Sequence, residues 1–155
     1  MKHLESRTIV LDVLMIFGLT FFVGTVAAIE MPEQKQLENG VVYMTGGIAE
    51  EAEMMRGVAN NYGLEIAVVQ KLNEREEFLA DVKVKVVDAH KNVALEVVTE
   101  GPYLWANLPS GSYLISAEFN GVEKHLKVHV NASKHQKIVF WWPITEQPEL
   151  EDSSE

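Results

Sequence analysis

The chain has 155 residues, a formal net charge of −10 and no cysteine. Its length suits one ordinary domain, and a composition of 47% hydrophobic and 23% charged residues is typical of a folded protein. The acidic balance repels phosphate backbones and anionic lipid headgroups, so nucleic acid is not an expected partner. The absence of cysteine excludes disulfides, thiolate catalysis and Cys-ligated zinc.

The first thirty residues indicate export from the cytoplasm. A short basic stretch, residues 1–7, precedes the apolar run Val13–Ile29, and small residues lead up to Ala28. This pattern predicts a signal peptide over residues 1–28. The alternative is an uncleaved anchor over residues 9–29, which is long enough to cross a hydrocarbon core of ~30 Å. Both interpretations predict a periplasmic protein that meets the membrane only through this segment.

The rest of the chain divides into a tether, one domain and a tail. Residues 29–39 are polar and are predicted to be the tether, and residues 144–155 are predicted to be an acidic disordered tail. Residues 40–143 then form the domain. Within it, the apolar residues of segment 48–62 recur at steps of three and four, which predicts an amphipathic helix ended by Gly63. These residues are Ile48, Ala52, Met55, Ala59 and Tyr62.

Beyond Gly63 the apolar period changes to two. In residues 82–86 three valines alternate with two lysines, which predicts a strand with one wet face. Residues 73–78 are highly charged and are predicted to connect two strands. Asn120-Gly121 is the kind of pair that a type I′ hairpin turn requires. About seven short strands separated by Gly, Pro and Asn turns predict a mainly β, antiparallel sandwich that follows the helix.

Two motifs resemble a known family. Leu108-Pro-Ser-Gly-Ser-Tyr113, followed by a period-two strand and Asn120-Gly121, resembles the signature of carboxypeptidase regulatory-like domains, which are similar to the transthyretin (prealbumin-like) sandwich. Tyr43-Met-Thr-Gly-Gly-Ile-Ala-Glu-Glu51 resembles the front end of short exported bacterial proteins with this domain. Those proteins usually have glycine where Ala49 stands, and a helical first turn is expected to tolerate the alanine. Over residues 40–142 the resemblance implies a prealbumin-like fold and a non-catalytic accessory role.

Aromatic residues of two predicted strands are the candidate binding residues. Tyr103 and Trp105 share one strand face, whereas the neighbours Trp141 and Trp142 point to opposite faces. Exposed rings would suit stacking on a sugar or docking a protein, while inward rings would fill the core against Tyr62. The leading hypothesis is a non-catalytic accessory domain that binds a protein or glycan of the cell envelope and needs no cofactor.

Histidines support an alternative function, the handling of copper or zinc in the periplasm. The candidate ligands are His90, His125, His129 and His135. His125 and His129 share a strand face but lie about 13 Å apart along the strand, so this pair alone cannot chelate an ion. Neither His-Xaa-His nor His-Glu-Xaa-Xaa-His occurs. Solvated surface histidines are therefore the simpler interpretation.

The sequence predicts no enzyme. Nucleophilic catalysis needs a serine or threonine beside a base. Ser110, Ser112 and Ser116 lie in or beside a Pro-Gly turn, where serine is a common turn residue, and the chain has no Gly-Xaa-Ser-Xaa-Gly elbow.

Overall fold

A computed structural model describes residues 30–73 and 75–144 of the chain. The predicted signal or anchor segment and the predicted tail beyond Ile144 lie outside these residues. The described part contains one α-helix, α1 (Glu51–Val58), which continues as a short 3-10 turn (Ala59–Asn61). Its strands are β1 (Lys35–Gln36), β2 (Val42–Gly46), β3 (Leu64–Leu72), β4 (Arg75–Phe78), β5 (Lys83–Asp88), β6 (Val93–Val98), β7 (Tyr103–Asn107), β8 (Gly111–Phe119), β9 (Val122–Val130) and β10 (Gln136–Pro143).

The strands form two sheets that face each other. Sheet A has the order β1-β2-β7-β3-β10, with β4 also paired to β3, and sheet B has the order β6-β5-β8-β9. The core between them is apolar because strands of both sheets turn every second residue inward. Its fully buried members include Leu64, Ile66, Val84, Val86 and Ile115. The prediction of a mainly β sandwich with one helix near its start is confirmed, with ten described strands instead of about seven.

Sheet A departs from the prediction in three places. One strand pair is parallel, because β10 runs alongside β3 over eight residues. β3 is antiparallel to β7 along its first half and to β4 along its second half, so residues 75–78 are a strand and not part of a connection. The segment predicted to be a tether also contains a strand, since Lys35 and Gln36 pair with β2.

Sheet B follows the period-two pattern closely. Val82, Val84 and Val86 are buried, and Lys83 and Lys85 lie on the opposite face. Asn120 and Gly121 have φ angles of 48° and 77°, the left-handed values that a type I′ turn needs at both central positions. The predictions of this strand and of this turn are confirmed.

The Leu-Pro-Ser-Gly-Ser-Tyr motif builds the turn between β7 and β8. The buried side chain of Leu108 fixes one end of it in the core. The Tyr113 hydroxyl donates a hydrogen bond of 2.8 Å to the Pro109 carbonyl, so the tyrosine spans its own turn. Burial raises the pKa of Tyr113, and the nearby Asp88 charge adds a smaller increase.

The helix is shorter than the predicted segment 48–62. Ile48 is exposed, and Ala49 stands before the helix with a φ of 51°, so the expectation that Ala49 lies in a helical first turn is wrong. The Glu51 carboxylate accepts hydrogen bonds from the backbone N–H groups of Gly47 and Ile48, which holds this loop. The chain becomes extended at Tyr62, so Gly63 is not a left-handed stop. None of the helices within residues 30–144 is long and apolar enough to cross a bilayer.

Candidate partner-binding surface

The outer face of sheet A, turned away from sheet B, carries most of the predicted aromatic residues. The registers of β3 with β4, β7 and β10 place its side chains in rows across the sheet, each row centred on one residue of β3. The rows are Trp105–Glu65–Lys137, Tyr103–Ala67–Val139 and Phe78–Val69–Trp141. Side chains directly opposite one another on a sheet face lie about 5 Å apart. The three rows therefore form one continuous surface.

The first row is closed by the helix. Trp105 is only 1% exposed because it packs in a second apolar cluster with Met44, Met55 of α1 and Tyr62. The rings of Tyr62 and Trp105 lie 5.8 Å apart, and burial raises the pKa of Tyr62. Trp105 thus attaches α1 to sheet A and is not accessible to a partner.

A charged cluster borders this row. Glu65 is buried, and its carboxylate contacts His135 Nε2 at 3.1 Å and Lys137 Nζ at 2.8 Å. The other histidine nitrogen, Nδ1, lies 2.9 Å from the Tyr62 carbonyl oxygen. The ring of His135 thus lies between two oxygen acceptors, the Tyr62 carbonyl and the Glu65 carboxylate. His135 and Lys137 therefore give the buried Glu65 carboxylate the polar partners that a buried charge requires.

In the other two rows the central residues, Ala67 and Val69, are buried, and the outer residues are open to solvent. Phe78 is 64% exposed, Trp141 49% and Val139 46%, while Tyr103 is half-buried. We call these four residues the aromatic surface. Phe78 belongs to the segment that the sequence predicted to be a connection, and it was therefore missed as a candidate. It packs against Tyr103 with the ring centroids 5.9 Å apart and the planes tilted by 53°.

A groove continues the aromatic surface toward the helix. It has a volume of about 430 Å³ and runs between α1 and the chain around Phe78 and Tyr103. Ala52 and the exposed Ile48 lie on its helix side. Arg56 also lines it and forms an ion pair with Glu53 at 2.5 Å. The groove is a mainly apolar concavity next to exposed aromatic rings, which is the form of a side-chain binding site.

Two lysines lie over rings of sheet A. Lys124 Nζ of β9 is 4.4 Å from the ring centroid of Trp141, and Lys137 Nζ is 5.4 Å from that of Tyr103. Both distances lie within the range of cation–π attraction. Positive charge is thereby held beside exposed apolar surface on an acidic protein.

The four aromatic residues predicted to bind a partner divide into two pairs. Trp141 and Tyr103 lie on the aromatic surface. Trp142 is 2% exposed and faces the core, where it stacks on Phe140, and Trp105 is covered by α1. Of the four predicted residues, the structure exposes Tyr103 and Trp141 beside Phe78 and Val139, and it buries Trp105 and Trp142.

Fluorescence quenching of the full chain tests this division. Trp141 is the exposed one of the three tryptophans, all of which lie in the described residues, so acrylamide should quench its emission selectively. Replacing Trp141 with phenylalanine should leave a blue-shifted spectrum and a quenching slope typical of buried indoles. An unchanged slope in this variant would show that another tryptophan is the accessible one.

The histidines lie apart from the aromatic surface, and no three of them meet. His90 is in the turn between β5 and β6, while His125 and His129 contact Ser116 and Ser112 across the outer face of sheet B. Both ring nitrogens of His135 are engaged by Tyr62 and Glu65. In the described part of the chain, no group of three His, Asp or Glu side chains could share a metal ion.

Comparisons with known proteins give a similarity in fold but no similar sequence family. No protein-family model matches the chain, and a search of curated proteins finds no significant match. The fold is similar to the crystal structure of GBS52, the minor pilin of the Gram-positive pathogen Streptococcus agalactiae, with a TM-score of 0.46 and 12% identity. The match covers 75% of this chain and 65% of the pilin chain, less than two thirds of its length.

Proposed function

We propose that the chain is an exported, non-catalytic interaction module that binds a protein partner of the cell envelope through the aromatic surface. The observation that carries the proposal is the exposure of Val139 and Trp141 on β10 and of Phe78 on β4, all on the same face of sheet A. Exposed apolar groups that lie together on a folded domain are typical of interaction sites. The apolar segment before residue 30 supports export, and the two motifs quoted above support a carboxypeptidase regulatory-like domain.

The shape of the surface favours a protein over a glycan. Stacking on a sugar needs a flat ring that is free on one side. Phe78 and Tyr103 are tilted by 53° to each other, and a lysine lies over each of Tyr103 and Trp141. The aliphatic side chains of Ile48 and Val139 beside these rings suit the apolar side chains of a protein.

Capture from chemically crosslinked cells tests the proposal with the tagged full chain. We expect the chain in the envelope fraction, together with a partner that is lost when Phe78 and Trp141 are both changed to serine. Removing two central contact residues should weaken binding by about 10- to 100-fold. Val98→Ser is the matched control, because Val98 is an exposed valine of sheet B.

Two results would contradict the proposal. A partner captured equally by the double variant would show that the aromatic surface is not the contact. A polysaccharide recovered in place of a protein would assign the surface to a glycan instead.

A further inference from the structure

The strand that carries Val139 and Trp141 has a free edge. β10 is the last strand of sheet A, and in the part of the chain that the structure describes its second edge pairs with nothing. Free edges are templates for added strands, and proteins protect them with short strands or charged residues. β1 has two residues, and three of the four residues of β4 are charged. β10 is eight residues long and carries apolar side chains.

The backbone shows which groups of β10 face this edge. Gln136 N–H donates to the Gly63 carbonyl and Ile144 N–H to the Lys71 carbonyl, both at 3.0 Å. Successive residues of a strand point their N–H and C=O groups to opposite sides, so even-numbered residues face β3. The N–H groups of residues 137, 139 and 141 therefore point to the free edge. Pro143 also lies on that side, where a missing N–H breaks no bond to β3.

The surroundings of the edge define the chemistry of a partner. Exposed apolar side chains lie along it on both sides, Val139 and Trp141 on sheet A and Val122 and Leu126 on β9. Lys124 belongs to none of the ion pairs within residues 30–73 and 75–144. Its ammonium lies 4.4 Å from the ring centroid of Trp141 and 6.0 Å from that of Trp142. Among the described residues this cation has no carboxylate partner, so it offers a binding site for a carboxylate next to apolar surface.

We infer that the free edge of β10 takes an extended segment of the protein partner as a further strand, and that this segment alternates apolar and acidic side chains. The inference rests on the proposed function. Main-chain hydrogen bonds to the N–H and C=O groups of residues 137, 139 and 141 hold the segment. Its apolar side chains, all on one face of the added strand, cover Val139 and Trp141 on the outer face of sheet A, and an acidic side chain on its other face, turned toward β9, binds Lys124.

Hydrogen exchange provides a direct test with the full chain in detergent micelles. The probe is the peptide Glu-Val-Glu-Val-Glu-Val-Glu, blocked at both ends, and the control peptide has lysine in place of each glutamate. In the free protein, amides 138, 140 and 142 should exchange slowly and amides 137, 139 and 141 rapidly. The acidic peptide should slow exchange at the three odd positions by at least about tenfold, and the lysine peptide should not.

Three variants and one control variant separate the backbone contact from the charge. Lys124→Glu should weaken binding of the acidic peptide by about tenfold or more, and Lys124→Arg should retain it, since both lysine and arginine are cationic. Val139→Pro removes one edge N–H without removing a bond to β3, and it should abolish protection at residues 137 and 141. Val98→Ser on sheet B should change nothing.

Three kinds of result would overturn the inference. Peptide binding without protection of the odd amides would indicate docking on the sheet face, which leaves the proposed function intact. Tighter binding of the lysine peptide, or no effect of Lys124→Glu, would exclude the acidic partner. Protection that rises with protein concentration in the absence of peptide would assign the edge to a second copy of this chain.

Discussion

Changing Gly101 to alanine should destabilise the domain by about 3 kcal/mol, at the upper end of the usual cost of overpacking. A Cβ at this position would lie 2.5 Å from the carbonyl oxygen of Gly46 and 2.6 Å from its carbonyl carbon. These atoms belong to backbone at the end of β2, which pairs with β7, so they cannot rotate away as a side chain would. For a domain of this size the melting temperature should fall by roughly 10–20 °C.

Gly57→Ala is the matched control for this prediction. Gly57 lies in α1, and an added Cβ there would meet no atom within 4 Å. Alanine is the better helix former, so this substitution should stabilise the protein by about 0.5–1 kcal/mol. Thermal unfolding followed by circular dichroism checks both variants. Equal melting temperatures would show that the contact between Gly101 and Gly46 does not constrain the fold.

The alternation of side chains predicts the strands of sheet B because burial there follows local sequence. Val82, Val84 and Val86 face the core and the lysines between them face water, so the period of two can be read directly. The turn at Asn120-Gly121 is predictable for a similar reason, since few residue types adopt positive φ without strain.

Long-range contacts determine the parts that the sequence did not predict. β4 is mostly charged, and it becomes a strand because β3 continues past the end of β7 and leaves an edge to pair with. The apolar stripe begins at Ile48, but this residue stays in solvent and the helix starts only at Glu51. Ala49 occupies the left-handed region before it, which explains why a glycine is usual there in the family that the motif resembles.

The candidate surface could be predicted only in part. Alternation shows that Trp141 and Trp142 face opposite ways, and one of them is indeed buried and the other exposed. It does not show that α1 covers the outer face of sheet A at Trp105 and leaves that face open at Tyr103. Which part of a sheet face a helix covers depends on tertiary packing, so Trp105 was placed among the binding residues although it is part of a core.

The two buried tryptophans should respond differently to phenylalanine. The Trp142 indole donates a 2.9 Å hydrogen bond to the Val122 carbonyl, which joins β10 of sheet A to the start of β9 in sheet B. The Trp105 indole nitrogen is buried but has no hydrogen-bond partner among the described residues. Trp142→Phe should therefore destabilise the protein by about 1–2 kcal/mol more than Trp105→Phe, since a hydrogen bond contributes roughly 1 kcal/mol and an unpaired buried donor is unfavourable.

Both substitutions remove the same atoms from a buried site. The stability that each variant loses with its apolar contacts is therefore similar, and it largely cancels in the comparison. The difference between them then reports on the hydrogen bond that connects the two sheets. Urea unfolding of the two variants measures it, and Trp141→Phe, at an exposed position, should change the free energy of unfolding by less than about 0.5 kcal/mol. If Trp105→Phe proved the more damaging of the two, the ring of Trp105 under the helix would matter more to stability than the bond between the sheets.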